Sequence, residues 1–172
     1  DPGEVELLLE AFEPNLERRS PELGRNNLEG LLGEEAPPIQ CAEWFNSHPL
    51  TLEGLRGKVV VLTFWGGFDD SLFARNRIME LRVLHELYRN KDDVAVIVVH
   101  DASSEAEEIE EYLVQYGIEF PVGKDADPFV SFVNYGINFI PQTVLIDKQG
   151  DVQYYQPEGR LLELVKALRR RS

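Results

Sequence analysis

Two uninterrupted apolar runs, VVVLTF at 59–64 and VAVIVV at 94–99, bound a long helical pattern and constrain the fold more than any other feature. Neither run alternates polar with apolar residues, as expected of central strands covered on both faces. Between them, residues 71–89 place Ala74, Ile78, Leu81 and Tyr88 on one helical face, and Leu84 and Leu87 widen it. Strand, helix and strand make a parallel crossover unit. HDASSEAEEIEEYLVQYG predicts a second helix with a Ser104–Glu107 capping box and a stop at Gly117. After a short extended EFPVGKD, Asp127 and Pro128 are placed at the cap and first position of a helix over FVSFVNYG. TVLIDKQGDVQYY predicts an antiparallel hairpin, and LLELVKALRRR an amphipathic helix whose arginines suit the negative end of its dipole. The expected fold class is α/β, a three-layer arrangement with a mixed central sheet and helices on both faces.

The first 35 of the 172 residues differ in composition, with ten acidic and three basic residues. They are read as an acidic helical extension before a single domain over residues 36–172. Within the extension Val5, Leu8, Leu9 and Phe12 form an apolar stripe at helical spacing, suited either to lying on the chain's own domain or to docking a neighbouring one through residues 5–12. A net charge of −14 disfavours nucleic acid and anionic membrane surfaces, both of which attract basic residues. No apolar run approaches the roughly 20 residues needed to cross a bilayer, so no direct transmembrane segment is expected. With Cys41 the only cysteine, neither an intrachain disulfide nor a Cys-x-x-Cys pair can form within this chain.

Four stretches carry a more specific likeness. LRGKVVVLTFW at 55–65, the helix after it, FPVGKDAD at 120–127 and GINFIPQTVLIDKQGDV at 136–152 together resemble thioredoxin-like proteins of the redoxin branch. They are especially similar to the TlpA and ResA type of thiol-disulfide oxidoreductase. The resemblance covers residues 36 to about 171. It implies a thioredoxin-like fold and a periplasmic, extracytoplasmic or membrane-associated location, with any targeting segment absent from this chain. Members of that family place a Cys-x-x-Cys motif at the start of the long helix, facing a cis-proline. Matching Phe64 and Trp65 to the family's Phe-Trp pair puts Asp69, Asp70, Ser71 and Leu72 on the motif and Pro141 on the cis-proline. Neither a carboxylate nor an isobutyl group can attack or resolve a disulfide.

The resemblance and these replacements together imply a redox-inactive thioredoxin-like domain that binds protein or an extended peptide, or that serves a structural role. The candidate face is Trp65, Gly66, Gly67, Phe68, Ile140 and Pro141, where exposed aromatics beside a backbone edge would hold an extended segment. The alternative is a thiol-disulfide oxidoreductase or peroxidase-like enzyme acting through Cys41 or a partner's thiol, although an apolar setting makes Cys41 a small buried hydrophobe by default. Asp69 and Asp70 are read as helix caps. His100 ends a central strand, where it reads as a hydrogen-bonding residue, and His48 and His85 as loop and surface residues. Asp101 and Asp127 are the candidates to join Asp69 and Asp70 at a metal, but no metal or cofactor is expected. Metalloprotease HExxH, phosphate-binding GxxxxGK and nucleophile-elbow GxSxG patterns do not occur.

Overall fold

In a computed structural model, residues 28–157 and 159–171 are described. Their sheet has six strands: β1 (Cys41–Phe45), β2 (Val59–Trp65), β3 (Val94–His100), β4 (Val122–Asp125), β5 (Gln142–Ile146) and β6 (Val152–Tyr155). Across the sheet their order is β1-β4-β3-β2-β5-β6. The pairs β2–β3 and β3–β4 are parallel, whereas β1–β4, β2–β5 and β5–β6 are antiparallel. β2 is therefore central and buried along its whole length, which explains its unbroken apolar sequence. The sheet is mixed because the crossovers that build β2, β3 and β4 give way to the β5–β6 hairpin predicted at 143–155.

Among the described residues four α-helices cover this sheet: α1 (Leu72–Tyr88), α2 (Ala106–Tyr116), α3 (Val130–Asn134) and α4 (Leu161–Arg169). On one face, Ile78, Leu81 and Leu84 of α1 pack with Ile109 of α2, Val165 of α4, and Val61 and Trp65 of β2. On the other, Phe132 of α3 and Tyr135 pack with Phe64, Ile140 and Val144. The three-layer α/β expectation is thus met. Leu87, placed on the apolar face by its spacing, is half exposed because the buried stripe runs through Ile78, Leu81 and Leu84 instead.

Two predicted helix starts shift. The capping box of α2 is formed by Glu105 and Glu108, with the Glu105 N–H donating to Glu108 Oε1 at 3.1 Å, one residue beyond the predicted Ser104–Glu107 pair. Asp127–Pro128 is a cis peptide outside α3, and Phe129 holds the cap position at φ 68°. Asp125 supplies the acceptors at that helix start, taking the Ser131 N–H at 2.9 Å and the Phe132 N–H at 3.1 Å. Gly117 closes α2 as predicted, in the left-handed region at φ 63°.

Residues 28–35, drawn with the extension by their composition, touch the domain directly. Leu28 is buried, and the Gly33 N–H donates to the Val152 carbonyl at 2.7 Å. The stripe of Val5, Leu8, Leu9 and Phe12 lies outside the described residues.

Candidate functional site

The parallel register sets Trp65 beside His100, so the loops leaving β2 and β3 emerge together at one end of the sheet. Antiparallel pairing of Phe64 with Gln142 brings the start of β5, and the cis Ile140–Pro141 peptide, to the same end. Thr63 and Thr143 lock that junction through a buried hydroxyl–hydroxyl bond of 2.8 Å. The topology therefore gathers Trp65–Leu72, His100 and Pro141 at one end of the sheet.

After Trp65 the chain turns tightly, with the Asp69 N–H donating to the Gly66 carbonyl at 3.0 Å. Close approach requires the glycine at 67, whereas at 66 it concerns only the far end of the exposed Phe68 ring. A Cβ on Gly66 would stand 2.5 Å from the Phe68 ring, and one on Gly67 2.2 Å from the Tyr112 ring. The Gly67 N–H donates to His100 Nε2 at 2.8 Å. Since an N–H can only donate, Nε2 is the bare nitrogen, and Nδ1 carries the proton towards the Asp101 carbonyl at 3.0 Å. Burial pushes the His100 pKa below its ordinary value, which keeps the ring neutral. The imidazole stacks on Tyr112 at 5.9 Å and meets Trp65 edge-on at 5.3 Å. His100 is thus the acceptor that fixes the Gly66–Gly67 turn, consistent with a hydrogen-bonding role at the strand end.

At the motif itself, Asp69 is only 4% exposed and its Oδ1 accepts the Ser71 N–H at 3.0 Å. Ser71, not either aspartate, is the N-cap of α1, its Oγ accepting the Ala74 N–H at 3.1 Å. A hydroxyl at the cap matches the orphan amides there, and Asp69 shapes the entry one step earlier. Asp70 is exposed, and Leu72 is 61% exposed at the first helical position.

The candidate binding face is mostly closed. Trp65, Gly66, Gly67, Ile140 and Pro141 are buried, and Phe68 alone of those six is exposed, at 39%. Trp65 turns into the core beside α1 and α2, while Ile140 joins the core against Phe64 and Phe132. The exposed apolar groups at this end are therefore Phe68 and Leu72, not the Trp65 and Ile140 side chains. Beside Pro141, the Gln156 side chain bridges the backbone, accepting the Thr143 N–H at 2.8 Å and donating to the Pro141 carbonyl at 3.3 Å. Gln156 and Tyr112 were missed by sequence reasoning. Tyr112 had a usable signal, since it lies three residues after Ile109 on the apolar side of α2.

Cys41 does not belong to this constellation. It sits on edge strand β1, with β4 and β3 between it and β2. Burial, helped by the nearby Asp125 charge, pushes its thiol up to about 12. Asp101 Oδ1 accepts the Ser103 N–H at 2.7 Å, and Asp127 precedes the cis-proline after β4. Among the described residues no group of three or more His, Cys, Asp and Glu is placed to hold a metal ion. His85 lies edge-on to Phe120, away from the motif on the same helix, and His48 is exposed.

A mixed sheet that carries a cis-proline at the same end as the start of its long helix defines a thioredoxin-like protein. Solved structures agree: a thioredoxin-like superfamily protein matches at a TM-score of 0.65 and 28% identity, covering 80% of this chain and 97% of its own. A thiol-disulfide isomerase from Corynebacterium glutamicum shares the fold at a TM-score of 0.68 and 23% identity, covering 80% of this chain and 98% of its own. The chain belongs to the AhpC/TSA family, whose model matches residues 32–155. Among curated proteins, it is similar to the thiol-disulfide oxidoreductase ResA of Bacillus anthracis, at 30% identity over 122 residues, or 70% of this chain. It spans 66% of that relative's length, just under two thirds. The ResA of Geobacillus thermodenitrificans is 31% identical over 124 residues, covering 71% of this chain and 67% of the relative. With one cysteine and no Cys-x-x-Cys motif, this chain has lost the classical dithiol chemistry. No helix among the described residues is long and apolar enough to cross a membrane.

Proposed function

We propose that the chain is a non-exchanging thioredoxin-like module that binds a protein or an extended peptide at the rim formed by Phe68, Asp70 and Leu72. The observation that carries this is the occupancy of the two thiol positions: a buried carboxylate at Asp69, held by the helix entry, and a largely exposed Leu72. The frame that would aim a thiolate is retained, and its exposed groups are suited to contact instead. Two apolar side chains beside a carboxylate favour a segment with its own apolar residues and a basic or amide group. Titrating the full chain with extended peptides of that composition tests the proposal through amide shifts at residues 68–72. Phe68→Ser and Leu72→Ser are each expected to weaken binding about tenfold, roughly 1.4 kcal/mol. Absence of any shift, or wild-type affinity in both variants, would overturn it.

A second function is favoured by kinship, since the curated relatives carry the name thiol-disulfide oxidoreductase. Under it the chain takes part in exchange through Cys41 or with a thiolate supplied by a partner, which attacks a disulfide sulfur and releases the other sulfur as a thiolate. Reduction of a disulfide-bonded test protein by a small dithiol, with the wild type or Cys41→Ser added, separates the cases. A rate above that of the dithiol alone that Cys41→Ser abolishes assigns chemistry to Cys41. A rise that survives the substitution points to presentation of substrate to an outside thiol, and no rise leaves binding as the function. By the same kinship we place the domain in an extracytoplasmic or membrane-associated setting, testable by fractionation of cells making the full-length protein.

A further inference from the structure

Helix α1 has two apolar stripes on opposite sides. One is buried through Ala74, Ile78, Leu81 and Leu84, and the other is Met79, Val83 and Leu87, which are 60%, 57% and 50% exposed. Their spacing of four residues aligns these three along the solvent side for about 12 Å. Across a shallow groove stands Leu162 of α4, also exposed. A surface helix ordinarily carries one apolar stripe, and a contiguous second one marks an interaction surface. Arg75 and Arg82, seven residues apart and so on one flank of this stripe, have no ion-pair partner among the described residues. They stand out in a chain of net charge −14.

We propose that residues 5–12 of this same chain cover that stripe, setting Val5, Leu8, Leu9 and Phe12 against Met79, Val83 and Leu87. Charge complementarity supports this occupant, because residues 1–13 hold five carboxylates and no basic residue to meet Arg75 and Arg82. Length permits it. The described chain begins at Leu28, and the 15 residues 13–27 can span up to about 50 Å, more than the ~30 Å diameter of a small domain. The N-terminal segment is thereby an intramolecular strap over α1 rather than a free docking arm.

Met79 is the only methionine in the chain, so its oxidation reports on this surface directly. In the full-length protein treated with dilute peroxide, Met79 is expected to oxidise several-fold more slowly than in a Val5→Ser/Leu9→Ser variant. In hydrogen exchange, amides 6–13 should be protected about tenfold in the wild type and lose that protection in a Met79→Asp/Val83→Asp variant. Both substituted positions of that variant are exposed, and retained protection of β2 and β3 would show its fold is intact. Raised salt should weaken the protection, as screening acts on the arginine–carboxylate pairing. Equal Met79 oxidation in wild type and the Val5→Ser/Leu9→Ser variant overturns the proposal. So does protection that grows with protein concentration alongside a dimer, which would assign the stripe to a second copy.

Discussion

The hydrogen bond from Gly67 to His100 makes a single buried imidazole responsible for the turn that precedes the motif. His100 must stay neutral to accept it, and its pKa is lowered by burial, so the unfolded chain binds a proton more readily than the folded one. The sign follows: the stabilisation is complete above the ordinary histidine pKa near 6.5 and is lost as pH falls from there towards the lower folded value. The melting temperature of the wild type should therefore fall more steeply between pH 7 and 5 than that of His100→Gln, which offers a non-titrating acceptor. Parallel pH profiles would refute this neutral-acceptor role. His100→Phe instead leaves a buried N–H without an acceptor and is expected to cost about 1–3 kcal/mol at pH 7.5. Next to it, Gly67→Ala pushes a methyl into the Tyr112 ring, for about 1–3 kcal/mol of overpacking. A double-mutant cycle with Tyr112→Ala should recover part of that loss, since it removes the ring atoms at 2.2 Å but keeps the Tyr112 Cβ at 2.6 Å, and full additivity in urea melts would count against it.

At the scale of elements, the strands and crossovers were legible because burial on both faces leaves an unmistakable apolar run, as in β2 and β3. Helix starts were less so. The second capping box slipped by one residue because Ser104, Glu105, Glu107 and Glu108 offer two overlapping patterns, of which the fold uses Glu105 with Glu108. Pro128 was misplaced since a cis bond leaves no mark in local sequence. At the site, the motif positions and Pro141 could be located by resemblance, but whether each side chain turns inward could not. Trp65 and Ile140 look like contact residues in a one-dimensional pattern and become core residues once β2 and β5 pair. The same ambiguity concerned the start of α1, where Asp69, Asp70 and Ser71 are all competent caps. Ser71 holds that position, so Ser71→Ala should destabilise the chain by about 1 kcal/mol and speed amide exchange in the first turn of α1. Asp70→Ala, by contrast, removes an exposed residue without a cap bond and should change stability by under about 0.5 kcal/mol. If Asp70→Ala proved the more damaging of the two, the cap would have to be reassigned.

For the whole molecule, strand order decides what the lone thiol can reach. Cys41 lies on the outermost strand, three strand spacings of about 4.8 Å from β2, so some 14 Å of sheet separate it from the cis-proline frame. Its Sγ packs over the backbone at Gly123, where an added Cβ would come within 2.5 Å. That close packing accounts for a glycine on β4 at a position that pairs with Trp44 and is covered by the Cys41 side chain. The same burial, with Asp125 nearby, keeps the thiol protonated well beyond neutrality, and the thiolate is the reactive form. Alkylation of the folded chain by a small haloacetamide should thus be very slow at pH 7.5 and still rise between pH 9 and 10. In denaturant, where the thiol returns to an ordinary pKa near 8.5, the rate at pH 7.5 should increase by two or more orders of magnitude. A folded chain whose Cys41 reacts at neutral pH as fast as the unfolded one would remove the barrier that burial supplies and make Cys41 a competent nucleophile. The distance to Pro141 would then be the one remaining obstacle to thiol chemistry at this site, and mixed-disulfide trapping by Cys41 with cysteine-bearing peptides would measure it.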